Sequence, residues 1–396
     1  MRIALVAGET SGDALGAELI ESIRALSPNS EFFGIGGPGM AAVGCKSWFQ
    51  SEELSVMGLT EVLRHLPRLF KVRSDLIRKL LEAKPDVFVG IDSPDFNLPV
   101  EDVLREKGIP TVQYVSPQVW AWRRSRVARI RKATDLVLCV LPFEVDFYKQ
   151  HDVKAVFVGH PLADQIPLTV SQKDARSGLG FLGTAPLVAV LPGSRRSEVS
   201  RLSRPFFETL GWLTEHRSGL VFAVAFSSQT MRDLFMERTA GIDVNPEPKF
   251  FVGKAREVIA ASDVVLTASG TASLEATLLK RPMVVAYRMS PLTHWMLNSM
   301  GVRRLQNFSL PNLLAAKSLM PEYLQAQVRA QILGPALLNF LDDSRLNPYW
   351  YDAFAAIHDQ LRCGASEQAA QAVISLFERR RHDLRGQFIG SKGKSR

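Results

Sequence analysis

Apolar residues fall into short runs along this chain. Each run is followed by a loop of small or polar residues, then by a longer stretch with apolar positions three and four apart. A short apolar run bounded by turn residues reads as a strand buried on both faces, and the stretch after it as an amphipathic helix. Such runs stand at 2–7, 31–35, 86–91, 111–115, 135–140 and 156–158, and again at 186–190, 221–226, 250–252, 263–267 and 282–287. Strands alternating with helices predict parallel, doubly wound α/β sheets. From 326 onward the pattern is helical, over 328–341, 351–362 and 366–381. At 396 residues the chain is long for one core, so two domains are expected. We place them at 1–165 and 186–330. A polar crossover lies between them, helices over 331–380 pack back on the first domain or exchange in a dimer, and a basic tail without structure covers 381–396.

Open α/β sheets bind ligands beyond the carboxyl ends of their strands, so the loops there carry the candidate chemistry. The loop at 191–198 reads Leu-Pro-Gly-Ser-Arg-Arg-Ser-Glu. Gly193 permits close backbone approach, Ser194 opens toward a helix N-terminus that favours anions, and Arg195 and Arg196 offer forked donors. A diphosphate clamp fits, and so does an ordinary turn with two solvated arginines. At 268–275, Ala-Ser-Gly-Thr-Ala-Ser-Leu-Glu brings Ser269, Gly270 and Thr271 to another helix start. Glu275 can hold a ribose diol or complement the helix dipole. After 86–91 come Asp92, Asp95 and Asn97. One aspartate there can serve as a general base, or either can cap the helix expected over 98–107, with Asp95 the better placed to cap. The first glycine turn offers Ser11, Gly12 and Asp13, as a polar ligand loop or as turn and capping residues. It is not the GxGxxG pattern of a dinucleotide site. Asn312, Glu322 and Gln325 are polar candidates at later loop-to-helix junctions.

Net charge of +8 favours an anionic partner without choosing among nucleotide, nucleic acid and acidic membrane. The stretch 56–70 interleaves Val56, Met57, Leu59, Leu63, Leu66, Leu69 and Phe70 with Arg64, His65 and Arg68. Such a pattern is usually a core-facing helix with a solvated face; an interfacial lipid-binding helix has the same look. Trp120 and Trp122 among arginines could stack on bases, line a cleft or meet lipid. The three cysteines stand far apart in the sequence, which predicts neither a disulfide framework nor a metal site and is simplest in a reducing compartment. No stretch reaches the roughly 18 apolar residues of a membrane span.

The ordered motifs LVAGETSGD (5–13), VMGLTEVL (56–63), KPDVFVGIDSPDFN (84–97), YVSPQVWAWR (114–123), LPFE (141–144), VGHPLAD (158–164), LPGSR (191–195), ASGTASLE (268–275), MVVAYRM (283–289), SLPNLL (309–314) and RCGASEQAAQAV (362–373) resemble the lipid-A-disaccharide synthase family. The resemblance runs from about residue 3 to about residue 375. It implies two Rossmann-like domains facing a cleft, the GT-B architecture of nucleotide-sugar glycosyltransferases. It also implies transfer from UDP-2,3-diacylglucosamine to 2,3-diacylglucosamine 1-phosphate with inversion, giving a β-1,6-linked disaccharide and UDP. It implies no cofactor and no metal, cytoplasmic placement at the inner membrane of a Gram-negative bacterium through anionic phospholipids, and a homodimer with exchanged C-terminal segments.

On that reading Asp92 is the base, supported by Asp95 and Asn97. Gly193, Ser194, Arg195, Ser269, Gly270, Thr271 and Glu275 take UDP, while Tyr287, Arg288, Asn312, Glu322 and Gln325 are UDP or inter-subunit contacts. The apolar residues of 56–70 and the tryptophan region offer surface for acyl chains. A UDP-N-acetylglucosamine epimerase of the same architecture is the nearest alternative, and a nucleic-acid binder the more distant one.

Overall fold

The computed structural model describes residues 1–50, 59–117, 126–290, 307–343 and 348–392. The chain forms two compact units, Met1–Asp164 with Leu361–Arg396, and Gln165–Gln360. The first holds β1 (Arg2–Ala7), β2 (Glu31–Gly36), β3 (Lys46–Gln50), β4 (Val87–Ile91), β5 (Thr111–Tyr114), β6 (Leu136–Cys139) and β7 (Ala155–Phe157). They make a 7-stranded sheet in the order β3-β2-β1-β4-β5-β6-β7, with every pair parallel. The order reverses at β1 and β4, which pair Val6 with Gly90 and Ala7 with Ile91. One face is covered by the helices Leu59–Ala83 and Pro94–Glu106, whose Val72, Leu76, Leu80, Val100 and Leu104 close a core with Ala4, Val6, Ile35 and Phe88.

The second unit holds β8 (Leu187–Leu191), β9 (Val221–Phe226), β10 (Lys249–Val252), β11 (Val264–Ala268), β12 (Met283–Tyr287) and β13 (Glu322–Leu324). Its 6-stranded parallel sheet runs β10-β9-β8-β11-β12-β13, reversing at β8 and β11. The helix Arg196–His216 buries Leu202, Phe206 and Leu210 against Val188, Val190, Phe222 and Val224. Each such side chain contributes about 1.5–3 kcal/mol of burial.

Several sequence expectations change. The pattern misses β3 and β13, two edge strands that read Lys-Ser-Trp-Phe-Gln and Glu-Tyr-Leu. An edge strand needs no continuous apolar run, so its pattern is weak. The supposed crossover contains the helix Gln172–Gly178, tied to the second unit. Gln172 donates to the Ser262 carbonyl at 2.8 Å, and Arg176 pairs with Asp263. The second unit therefore starts at Gln165 and not at 186.

At its far end this unit keeps the helix Ala330–Asp343, because Leu333 and Leu337 complete its core. Only from Leu361 does the chain rejoin the first unit. There the Asp164 carboxylate accepts the N–H groups of Gly364 (2.9 Å) and Ala365 (2.7 Å), capping the terminal helix Ala365–Lys392. That helix lies along Thr10–Leu26, with Ser366 donating to Glu18 at 2.9 Å. It is helical to Lys392, well into the stretch expected from 381 to lack structure.

Candidate active site

Asp92 follows β4 directly, at the reversal point of the first sheet. Its φ is +51° and that of Ser93 is +42°, so two successive non-glycine residues are left-handed before the helix Pro94–Glu106 begins. Single residues in that region are uncommon, and they persist where surrounding contacts over-determine them. The contacts are present. The Asp92 N–H donates to the Tyr114 carbonyl at 2.9 Å. The Asp92 carbonyl accepts from Asn97 Nδ2 at 2.9 Å and Gln113 Nε2 at 3.1 Å. The carboxylate is half-buried and accepts no hydrogen bond from any described residue, which leaves it free to take a proton from a bound hydroxyl. Asp95 is exposed within the first helical turn and pairs with Arg126 at 2.9 Å; it is not the capping residue of a helix at 98–107. Asn97 is fully buried and acts on the Asp92 backbone, not on a ligand.

The first glycine turn resolves differently. The helix begins at Thr10, so Ser11, Gly12 and Asp13 are helical. Asp13 is buried and accepts from the N–H groups of Gly37 (2.8 Å), Gly39 (2.8 Å) and Met40 (3.0 Å). It caps the short helix Pro38–Ala42, so its carboxylate is engaged within the protein, as turn and capping chemistry requires. Gly12 is buried, where a Cβ would stand 3.4 Å from Ala7 Cβ and 3.7 Å from Ile91 Cγ2, and Ser11 is exposed at the helix start.

In the second unit both expected loops leave the reversal point, one from β8 and one from β11. Gly193 has φ +115°, and a Cβ there would stand 2.6 Å from Glu198 Oε2. Glu198 is the residue that sequence reasoning passed over. Its buried carboxylate accepts from the N–H groups of Ser194 (3.2 Å) and Arg195 (3.3 Å) and from Arg195 Nη1 (3.2 Å). The loop amides assigned to a diphosphate are therefore engaged within the protein. What faces outward is the Arg195 side chain, 78% exposed. Glutamate three residues after the cap position was the available signal. Tyr287 lies close by. Burial raises its phenol, the Glu198 charge adds to this, and Arg195 and Arg201 oppose it.

Gly270, with φ +148°, caps the helix Thr271–Leu278, and Ser273 Oγ donates to its carbonyl at 2.7 Å. Ser269 donates to the Phe308 carbonyl, and Thr271 is exposed at the helix start. Glu275 pairs through Oε1 with Arg256 Nε at 2.8 Å, so an arginine already holds one of its oxygens.

Four of the residues expected as UDP or inter-subunit contacts, Arg288, Asn312, Glu322 and Gln325, make hydrogen bonds within the second unit. Asn312 is buried; it donates to the Met320 carbonyl (2.8 Å) and Glu322 (2.7 Å) and accepts from Leu319 and Met320 N–H, which fills its capacity. Glu322 accepts from Phe308 and Ser309 N–H and from Asn312. Gln325 receives the Met289 N–H at 2.9 Å, and Arg288 donates to the carbonyls of Gln325 and Val328, clamping the ends of β12 and β13. Burial lowers the Arg288 pKa.

Of the lipid-facing candidates, Val56, Met57 and the tryptophans at 120 and 122 lie outside the described residues. Leu59, Leu63, Arg64 and Leu66 fall in the helix Leu59–Ala83, their side chains undescribed. Leu69 is half-buried. Phe70 is 55% exposed, with the Arg73 guanidinium 4.8 Å from its ring centroid. Further along, Val72, Leu76 and Leu80 face the core, as in an ordinary amphipathic helix. Among the described residues no helix is long and apolar enough to cross a membrane, and no His, Cys, Asp and Glu cluster could hold a metal.

Two doubly wound parallel sheets with loops at each reversal point define the GT-B class of glycosyltransferases and nucleotide-sugar epimerases. Solved structures share the fold. The UDP-GlcNAc 2-epimerase of Neisseria meningitidis, bound to UDP-GlcNAc, matches with a TM-score of 0.65 and 12% identity, over 95% of this chain and 100% of that one. The glycotransferase of kitacinnamycin matches at 0.60 and 17%, over 96% and 98%. The family described as lipid-A-disaccharide synthetase matches residues 3–373. The lipid-A-disaccharide synthase of Alkalilimnicola ehrlichii is 50% identical over 377 residues, 95% of this chain and 98% of that protein. The chain belongs to the lipid-A-disaccharide synthase family, and it is a glycosyltransferase.

Proposed function

We propose that this enzyme moves 2,3-diacylglucosamine from its UDP derivative to 2,3-diacylglucosamine 1-phosphate. The acceptor 6-hydroxyl attacks the anomeric carbon. Its proton passes to Asp92, the new β-1,6 bond forms as the bond to UDP breaks, and the configuration inverts. General-base help of this kind is worth about 10²–10⁴ in rate. Arg195, Ser194, Ser269 and the helix start at Thr271 meet the growing charge on UDP, where aligned donors act most strongly. Glu275 holds the ribose through its second oxygen, with Arg256 orienting the first.

The observation that carries this reading is the Asp92 carboxylate, without a hydrogen-bond partner among the described residues, on a fixed left-handed turn at the strand-order reversal, in a chain of this family. The test is release of UDP with both acylated glucosamines and with each omitted. Release should need both; turnover of the donor alone would favour the epimerase reading.

The same proposal includes peripheral attachment to the cytoplasmic face of the inner membrane. Phe70 and the neighbouring cations Arg68, Lys71 and Arg73 support it, as aromatic and basic groups that suit anionic headgroups. It also includes a homodimer joined by exchange of the segment after Leu361, to be checked by sedimentation of the full chain against one truncated before that segment.

A further inference from the structure

The polar groups beneath Asp92 are more numerous than its support requires. Asn97, Glu101 and Gln113 are all fully buried. The amide nitrogens of Asn97 and Gln113 are spent on the Asp92 carbonyl and nearby carbonyls. Asn97 Oδ1, Gln113 Oε1 and both Glu101 carboxyl oxygens have no hydrogen-bond partner among the described residues. Buried polar atoms are nearly always paired, so a cluster of acceptors without a donor needs an explanation.

These groups converge on Gly90. That residue pairs with Gln113 across β4 and β5. A Cβ on it would overlap Glu101 Oε1 and stand 2.9 Å from Asn97 Cβ and 3.0 Å from Asn97 Cγ. Asn97 and Glu101 are four residues apart and share one face of the helix Pro94–Glu106. Their other neighbours on that face, Val100 and Leu104, are apolar. Among the described residues no cation is paired with Glu101, and burial raises its carboxyl pKa well above the ordinary value. An ionised Glu101 would add charge and two more acceptors; a neutral one supplies the missing donor.

We propose that Glu101 is a positioning residue held as the neutral acid, whose O–H donates to Asn97 Oδ1. This fixes the Asn97 amide with its NH₂ toward the Asp92 carbonyl, and so holds Asp92 and Ser93 left-handed. Turned over, the amide would set oxygen against oxygen at that carbonyl. The carboxylate assigned above as base would then lose its fixed direction. The proposal rests on that assignment for its catalytic consequence, but not for the protonation state itself.

The test uses the full-length enzyme with Glu101→Gln and Glu101→Leu. Infrared difference spectra at neutral pH should show a protonated-carboxyl band in the wild type that is absent from Glu101→Gln. Glutamine keeps a neutral donor, so its kcat should stay within about threefold of wild type. Leucine should lower kcat by roughly tenfold or more with donor KM little changed, because an interaction that aligns the base is lost and not one that binds the donor. An absent band overturns the proposal, as does an equal loss in the two variants or full activity in Glu101→Leu. If Glu101→Leu does not fold, the band and the Gln variant decide: a Gln loss as deep as that of Asp92→Asn overturns it. Should Asp92→Asn itself retain turnover, the base assignment fails, while the infrared band still reports on Glu101.

Discussion

Replacing Glu101 by Gln should change the pH dependence of folding with a sign and slope set by proton counts. The folded protein keeps the Glu101 proton, because burial disfavours the charged form. The unfolded chain releases it above the ordinary value of 4.5. Below that value both states hold the proton, and wild type and variant differ by a constant. Above it the unfolded wild-type chain gains by ionising. The wild type then loses about 1.4 kcal/mol of stability per pH unit relative to Glu101→Gln, until the folded acid itself ionises. The difference accumulates with each pH unit above the ordinary value for as long as the folded acid stays protonated. Even one such unit is a sizeable share of the ~5–15 kcal/mol that holds a domain. Urea titrations of both proteins at several pH values, read as midpoints with a shared slope, measure it. The glutamine amide changes local hydrogen bonding by an amount independent of pH, so the slope is the diagnostic quantity. A pH-independent difference would refute the neutral acid. A slope of opposite sign would mean an ionised Glu101 stabilised by a cation.

Asp92→Asn should lower kcat by about 10²–10⁴ with UDP affinity unchanged; retained turnover would remove Asp92 as base. Asp13→Ala strips a buried acceptor from three N–H groups and should cost about 2–4 kcal/mol in unfolding titrations, with kcat per folded molecule preserved. A kcat loss without destabilisation would return Asp13 to the ligand site. Arg195→Ala should weaken UDP binding or slow transfer by about tenfold, and unchanged values for both would leave that arginine merely solvated. Reversing Arg64, Arg68 and Arg73 to glutamate should reduce co-sedimentation with anionic vesicles, since each basic residue near such a surface is worth about 1 kcal/mol; equal partition would make the helix Leu59–Ala83 plain core.

Most of the fold was legible because each central strand is buried on both faces and announces itself as an unbroken apolar run. Val87–Ile91 and Leu187–Leu191 are fully buried, and they read so from sequence. What escaped was whatever tertiary contact decides. Lys46–Gln50 pairs only at an edge. The helix Gln172–Gly178 carries no buried residue and is placed by Gln172 and Arg176 reaching to 261–263. The helix Ala330–Asp343 reads as helix in either unit, and only the fit of Leu333 and Leu337 into the second core assigns it.

Spacing identifies a place suited to an anion, because a glycine turn and a helix start leave N–H groups without partners. It does not say which anion comes. At Gly37–Met40 the anion is Asp13, and at Ser194–Arg195 it is Glu198, each supplied by the chain itself. Once the Glu198 carboxylate holds those amides, a diphosphate at this loop must be met by side chains, with the exposed Arg195 foremost. On the proposed function, anion recognition in the second unit would then rest more on Ser269 to Thr271, where no carboxylate of the chain takes the amides among the described residues. Glu198→Gln separates the two possibilities. If the carboxylate only orders the loop, the glutamine variant keeps both hydrogen-bonded amides and UDP affinity stays within about threefold. If the carboxylate competes with the diphosphate for those amides, removing its charge tightens UDP binding, and the amides belong to the ligand after all.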